Sequence, residues 1–460
     1  MDSVLKGVLR KITPGEKDRK EMQAALEKLL GTADEVLKPL GLDRMVAGSL
    51  MRDTWLKDKK EIDLFILFPV SFSREDLEKT GISAGKEIIR KMGGKHKLAY
   101  AEHPYVKGHM GNFSVDIVPC YNVESASKIK SAVDRTPFHN RYVAENLKQG
   151  MSGEVRLLKQ FCKSAGVYGS DIKTMGFSGY LCELLIIRHR TFKDLALAAG
   201  RWEPGIFIDL QGHGKSQDAT IQYRDQPLIV IDPTDPKRNV AAALSPRNFM
   251  RFVKTCERFA KSPDERFFSL EKPGVKHSGL KTFVEKRGTD FIMIGFKRPD
   301  VVDDILFSQL RKTAKRLSGF LHDNDFRVID QDVWSDENRS CILLELEVWS
   351  LPAIRKIIGP PIFSKSHSAQ FTKKYGSDRL CVDGVFWTAF TKRQYAKAED
   401  ALSHLLKRPK SELMAEGIGS HVARAVSSGF TLTGKKDVLA FSAKNRDFAL
   451  FLKEYIVRNI

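Results

Sequence analysis

The 460 residues contain no run of about 18 consecutive apolar side chains, the length that crosses a bilayer, which argues against a helical membrane protein. The N-terminus, MDSVLKGVLRKITPGEKDRKE, mixes acids with bases and has no apolar stretch followed by small residues. A secretory leader is therefore not expected, and a cytoplasmic location is. Cysteine is scarce: Cys120, Cys162, Cys182, Cys256, Cys341 and Cys381 lie far apart, with no C-x-x-C pair. That spacing argues against a zinc knuckle and a disulfide framework and predicts buried thiols. Internal repeats and low-complexity runs are also missing. Acids are short relative to bases, 57 Asp+Glu against 76 Lys+Arg, a net charge of +19. Such an excess suits a polyanion, either nucleic acid or an anionic membrane surface, although a basic proteome or solubility alone would give the same balance. About half of it lies in residues 266–460, so charge does not localise the partner.

What is present is ordinary globular composition, 42% hydrophobic and 29% charged, in a chain long enough for about three or four domains. Its most informative stretch is VAGSLMRDTWLKDKKEIDLFILFP, from Val46 to Pro69. EIDLFILF reads as a strand, and period-2 geometry points Glu61 and Asp63 to the same face. Two adjacent acids repel unless a cation lies between them, so the pair suggests a divalent metal site. Further on, GNFSVDIVPCY alternates Val115, Ile117 and Pro119 with Ser114, Asp116 and Val118. Asp116 can then join Glu61 and Asp63 on one sheet of an α/β domain.

Helical spacing marks Asp18 to about Leu37 and Ser73 to Met92, and from about Phe138 the texture turns helical. In GEVRLLKQFCKSAGVYG the stripe Leu157, Leu158, Phe161, Cys162, Ala165 leaves Arg156, Lys159 and Lys163 on the opposite face, where a functional role and ordinary solvation are equally open readings. GYLCELLIIRHRTFKDLALAAG reads as a further helical run, QPLIVIDP as a strand, and Ser245-Pro246 as a helix start. Beyond about Lys261 the pattern is mixed α+β, with Gly359-Pro360-Pro361 as a break. In DDILFSQLRKTAKRLSGFLHD, Leu310, Ala314, Leu317 and Leu321 face inward, leaving Arg311, Lys312, Lys315 and Arg316 clustered outside. Like charges at that spacing cost a little helix stability unless phosphates or solvent receive them.

The run GSLMRDTWLKDKKEIDLFILFP resembles the signature of the polymerase-beta nucleotidyltransferase superfamily. VDIVPCY, RTPFHNRYV, RLLKQFCKSAGVYGSDIKTMGFSGYLCELL and DPTDPKRNVAAALS narrow the resemblance to archaeal class I CCA-adding enzymes, the tRNA nucleotidyltransferases. These blocks follow the family's order over roughly the first 265 residues. Farther on, only GPPIF and the overall length support the match. The resemblance implies an α+β multidomain protein: a polymerase-beta-like catalytic head of mixed sheet and helices over 1–140, a mostly helical nucleotide-binding neck over 141–262, and an α+β body and tail over 263–460.

The implied activity is template-independent addition of CCA to the 3′ end of tRNA from CTP and ATP, with two Mg²⁺ ions about 4 Å apart and pyrophosphate released. By the same resemblance Glu61 and Asp63 bind both ions and Asp116 binds the ion on the primer side. Gly48 and Ser49 cradle the β- and γ-phosphates, with Arg52 adding charge unless it pairs with Asp53 or Asp58. His139, Lys159 and Tyr168 hold the triphosphate, and their donors suit phosphate oxygens. Arg238 matches the arginine that hydrogen-bonds the incoming base, the alternative being a helix-cap arginine near Asp232 or Asp235. Asp53 departs from the pattern, where Gly or Asn is usual. Without a zinc module or aromatic RNP-type motif, the tRNA acceptor stem and T arm are expected to be gripped through shape and phosphate charge. Arg311, Lys312, Lys315 and Arg316 are candidates for backbone contact, and a homodimer is compatible with the sequence. Competing readings are a poly(A) polymerase-like enzyme, which would share GS, ExD and the third Asp, and a catalytically inactive RNA-binding scaffold.

Overall fold

The computed structural model describes residues 1–100, 103–214, 222–270 and 277–456, which fall into two units, residues 1–272 and 273–459. In the first, helices α1 (Asp2–Ile12) and α2 (Glu16–Leu37) lead to strand β1 (Asp43–Ala47), a single helical turn α3 (Gly48–Met51) and strand β2 (Glu61–Phe68). Helix α4 (Arg74–Lys91), begun by the Ser73 cap that accepts the Asp76 N–H, leads into β3 (Lys95–Tyr100), β4 (Pro104–Met110) and β5 (Phe113–Tyr121). The five strands form a mixed sheet in the order β1-β2-β5-β4-β3. Within it β2 and β5 run parallel and the other neighbours antiparallel.

Alternation decides which face each side chain takes. Ile62, Leu64, Ile66 and Phe68 join Val115 and Ile117 in a core roofed by Met22, Leu29, Ala33 and Leu37 of α2 and Leu77, Ile88 and Ile89 of α4. The opposite parity, Phe65 with Val118 and Cys120, builds a smaller cluster on the other face. Each large apolar side chain buried contributes about 1.5–3 kcal/mol, and a one-residue slip would turn four of them outward. The same alternation therefore fixes Glu61 and Asp63 on the second face.

Helices α5 (Thr136–Asn146), α6 (Met151–Ser164), α7 (Gly179–His189) and α8 (Phe192–Ala199), with a helix over Pro246–Lys261, build the rest of this unit. Their core centres on Phe161, whose ring meets Phe192, Phe252, Phe259 and Phe268. A small sheet, β6 (Ile206–Asp209), β7 (Leu228–Asp232) and β8 (Asp235–Asn239), lies beside them. Helix α1 packs into this helical core through Leu5 and Val8. The GYLCELLIIRHRTFKDLALAAG run is two helices, broken at Arg190 with φ +73°. Of the two readings of the basic face of α6, ordinary solvation does not hold for Arg156 and Lys159, which are each 3% exposed. Helical period finds one apolar stripe, but α6 is enclosed on both sides, and the second side is lined by the polar backbone of residues 53–55.

The second unit carries β9 (Asp290–Lys297), β10 (Arg327–Ser335) and β11 (Arg339–Val348), then β12 (Ile354–Pro361), β13 (Leu380–Asp383), β14 (Phe386–Lys392) and β15 (Phe430–Gly434). They form one sheet of order β10-β11-β9-β15 and another of order β12-β14-β13. Gly359-Pro360-Pro361 breaks the pairing as expected. It ends β12, where proline removes ladder donors and the register shifts between Ile358 and Pro361. The Asp303–Asp323 helix buries Leu310, Ala314, Leu317 and Leu321 as its spacing predicts. Five cysteines are buried, whereas Cys381 is exposed because it lies on an edge strand of the smaller sheet. No helix among the described residues is long and apolar enough to cross a membrane.

Helix α4 approaches the sheet closely at Gly81, where an added Cβ would stand 2.5 Å from Pro119 Cβ and 2.9 Å from its Cγ. Pro119 cannot rotate away. Gly81→Ala is expected to destabilise the protein by about 1–3 kcal/mol, read as a lower midpoint in urea or thermal unfolding.

Candidate active site

Parallel pairing of β2 with β5 places Asp63 and Asp116 on one rung, with Glu61 two residues earlier on the same face. From the next strand Lys107, the register partner of Asp116, brings its Nζ to 3.1 Å from Asp116 and 3.6 Å from Glu61. Lys59 pairs with the other Glu61 oxygen. Both lysines escaped the sequence reading, since neither belongs to a motif and only strand pairing shows which side chain faces Asp116. Among the described residues, no three Asp, Glu, His or Cys side chains are drawn together into a ready-made coordination cage. An ammonium group stands between two of the acids instead.

The three carboxylates are electrostatically distinct. Burial first, and then the charges of Glu61 and Asp116, push Asp63 up to about 7. Burial also raises Asp116 despite Lys107, while Lys59 and Lys107 overcome the burial of Glu61 and hold it below its ordinary value. Gly48 starts α3 at φ +78°, and a methyl group there would collide with the Asp63 carboxylate, so glycine is required on both counts. Ser49 follows it in the same turn, its carbonyl accepting the Thr54 N–H at 2.9 Å.

Arg52 and Lys159 converge on a buried acid that sequence reading missed. Glu183 of α7 is 0% exposed and accepts a hydrogen bond from Thr54 Oγ1 at 2.7 Å. Lys159 Nζ lies 3.5 Å from it and donates to the Thr54 carbonyl and hydroxyl at 3.1 and 2.9 Å. Arg52 Nε is 3.0 Å from Glu183 Oε2 but out of line, so both atoms lack an aligned hydrogen bond. Arg52 also donates to Asn140. Arg52 thus pairs with neither Asp53 nor Asp58. Two cations share one carboxylate here, and the Tyr168 hydroxyl and Lys159 Nζ both border Gly179 at the start of α7.

His139 and Arg238 are gathered by a second buried acid, Asp232. It receives Arg238 at 2.7 Å and lies 2.8 Å from His139 Nε2, and Tyr180 donates to it at 3.2 Å. Tyr180 stacks on His139 with ring centroids 4.0 Å apart. Burial opposes ionisation of Asp232, yet the hydrogen bonds from His139, Thr234 and Arg238 hold it well below the usual carboxylate range. Burial pushes His139 down from its ordinary value. Arg238 therefore does pair with Asp232, though across the β7–β8 turn and not at a helix end.

Arg311, Lys312, Lys315 and Arg316 belong to the second unit. Lys312 and Lys315 are exposed, and the Arg311 guanidinium lies over the Phe307 ring at 5.9 Å. Arg316 departs from the outward cluster: it donates to the Glu416 carbonyl at 2.6 Å and carboxylate at 2.7 Å. Its neighbour in space is an acid that helical spacing alone does not reveal.

Residues 26–139 match the nucleotidyltransferase domain family, residues 153–269 the second domain of tRNA nucleotidyltransferases, and residues 287–434 the C-terminal domain of CCA-adding enzymes. The CCA-adding enzyme of Methanosarcina barkeri is 39% identical over 460 residues, covering 98% of this chain and 97% of that protein. That of Methanothermobacter thermautotrophicus is 36% identical over 454 residues, with the same coverage. The chain belongs to the CCA-adding enzyme family. A solved cytoplasmic RNA terminal U-transferase covers 60% of this chain at 16% identity and a TM-score of 0.46.

Membership of the CCA-adding enzymes gives the sheet domain its place as a polymerase-beta-like nucleotidyltransferase fold. Asp53, which the resemblance marked as a departure, suits its local backbone. That residue has φ +49°, the left-handed region where Gly and Asn are favoured and Asp is tolerated. Its charge is absorbed by Arg19 at 2.8 Å and Arg156 at 2.6 Å, and Arg156 Nε also donates to the Trp55 carbonyl at 2.9 Å. The family's divalent ion fits the residues present: the three acids offer hard oxygen donors, and Asp116 Oδ1 is buried without an aligned hydrogen-bond partner.

Asp63 makes stability depend on pH with a definite sign. Its folded value, about 7, lies above its ordinary 3.8, so the metal-free fold binds the proton more tightly and loses stability as pH rises through that interval. Asp63→Asn, neutral at every pH, is expected to match the wild type near pH 4. By pH 8 in chelator it should exceed the wild type by about 2 kcal/mol, after discounting for screening by the neighbouring lysines, read from denaturant midpoints.

Proposed function

We propose that this chain builds or repairs the CCA end of tRNA, joining CTP and then ATP to the 3′-hydroxyl and releasing pyrophosphate at each addition. The common rung of Asp63 and Asp116, with Glu61 beside them, carries this reading, in a chain alike to CCA-adding enzymes over nearly its whole length. Glu61 and Asp63 would hold two Mg²⁺ ions, with Asp116 completing the site on the primer side. When bound there, the ions supply charge stabilisation for the attacking and departing oxygens.

The chain's own groups orient the nucleotide. Gly48 gives the triphosphate close access to the backbone beside Asp63, and Ser49 adds a hydroxyl. Arg52 and Lys159 balance only half of their charge on Glu183, and the surplus positive charge in a buried setting favours phosphate. Tyr168, beside Lys159 at Gly179, contributes a neutral donor to the same phosphates, and His139 another. Arg238 reads the base: its guanidinium can address cytosine O2 and N3 or adenine N1, so one residue serves two substrates without a nucleic-acid template. Asp232 holds the Arg238 fork in one orientation.

In this reading residues 1–140 form the catalytic head and 141–262 the neck, while 263–460 grip the acceptor stem and T arm through phosphate charge. Lys312 and Lys315 are the exposed basic residues of the Arg311–Arg316 group, with Arg311 beside them, whereas Arg316 acts by fixing Glu416.

Two variants test the roles with tRNA lacking its CCA end. Asp116→Ala should abolish nucleotide addition while binding CTP and ATP within about threefold of wild type, because the triphosphate contacts lie elsewhere. Normal turnover by the folded variant would remove Asp116 from the site. Arg238→Ala should lower use of both CTP and ATP by about 10- to 100-fold in kcat/KM. Unchanged use of both would show that Arg238 does not read the base.

A further inference from the structure

Three acids on one sheet face need positive charge to coexist, and two lysines of this chain supply it in different ways. Lys59, whose side chain is 52% exposed, reaches one Glu61 oxygen from the loop before β2. Lys107 is held more tightly. It projects from the middle of β4, opposite Asp116 in the ladder, and its side chain is 26% exposed. From there its Nζ spans both acids, 3.1 Å from Asp116 and 3.6 Å from the Glu61 oxygen that Lys59 does not touch. Asp116 Oδ1 nevertheless remains without an aligned hydrogen bond. The ammonium supplies charge to these carboxylates but leaves acceptor capacity unused, which a divalent ion with six or more oxygen ligands would use.

We infer that Lys107 is a tethered counter-cation occupying the position between Glu61 and Asp116 in the metal-free enzyme, and that a divalent ion binds there by displacing it. The inference rests on Glu61, Asp63 and Asp116 being the metal ligands. An ammonium and a dication cannot share the same two carboxylates at these distances without strong repulsion. Lysine suits the task because its flexible four-carbon stem lets the charge swing away while the strand stays in register. Lys107 consequently has two effects of opposite sign: it stabilises the three acids when no ion is bound and weakens ion binding to them. A residue that merely maintained the fold would weaken ion binding when removed.

Mn²⁺ titration of the full-length enzyme without RNA or nucleotide, read by electron paramagnetic resonance, separates these cases. It is paired with thermal unfolding in chelator and in saturating Mn²⁺. Lys107→Met and Lys107→Gln should bind Mn²⁺ about three- to tenfold more tightly than wild type. Both should melt lower than wild type in chelator, with the deficit closing in Mn²⁺. Lys107→Arg, which keeps the charge, should bind no more tightly than wild type, and Lys59→Met should shift affinity less than Lys107→Met. Unchanged or weaker Mn²⁺ binding by Lys107→Met and Lys107→Gln would overturn the inference. Equal binding by wild type and Asp116→Asn would instead overturn the assignment of the carboxylates as ligands, and the inference with it.

Discussion

Asp63 and Asp116 repel each other across one rung of the sheet, and the apolar residues of β2 and β5 hold them there despite it. Ile62, Leu64, Ile66 and Phe68 on one strand, and Val115 and Ile117 on the other, lock a parallel register that leaves the acids no freedom to separate. Hydrophobic burial on one face thus supports concentrated negative charge on the other. Much else around the centre answers that charge: Gly48 keeps its Cβ position clear of Asp63, Lys59 and Lys107 neutralise Glu61 and Asp116, and Asp63 resists ionisation.

The opposite problem is solved a short way off. Here cationic groups must be held in place, and each set is assembled around one buried acid. Glu183 gathers Arg52 and Lys159, and Asp232 gathers His139 and Arg238. Breaking either arrangement would leave charge buried without compensation, which costs more than the pair itself contributes. Glu183 and Lys159 come from the helices, whereas Arg52 and Thr54 come from the loop after α3. The same contacts therefore join the catalytic sheet to the helical layer.

Much of this was legible in the sequence because it depends on local period and spacing. Alternation in EIDLFILF and GNFSVDIVPCY placed all three acids on one face, and the helix near Ser73 to Met92 and the start at Ser245-Pro246 fell where their residues predict. Long-range pairing was not legible. Nothing in YVKGH says that Lys107 faces Asp116, and nothing in GYLCELL distinguishes Glu183 from a solvated glutamate. The two readings of the basic face of α6 stayed open for the same reason, since periodicity shows that Arg156 and Lys159 lie off the apolar stripe but not that the loop after α3 covers them. Asp53 was visible as an exception, yet its two arginine partners lie 34 and 103 residues away in sequence.

The central claim concerns what the centre makes. Purified wild-type protein with Mg²⁺ and a tRNA ending before its CCA should extend the RNA by two C residues when given CTP alone. A single A should follow once ATP is supplied, with growth stopping there. An A-only tail of variable length would identify a poly(A) polymerase instead, and no extension under any nucleotide condition would contradict the account altogether.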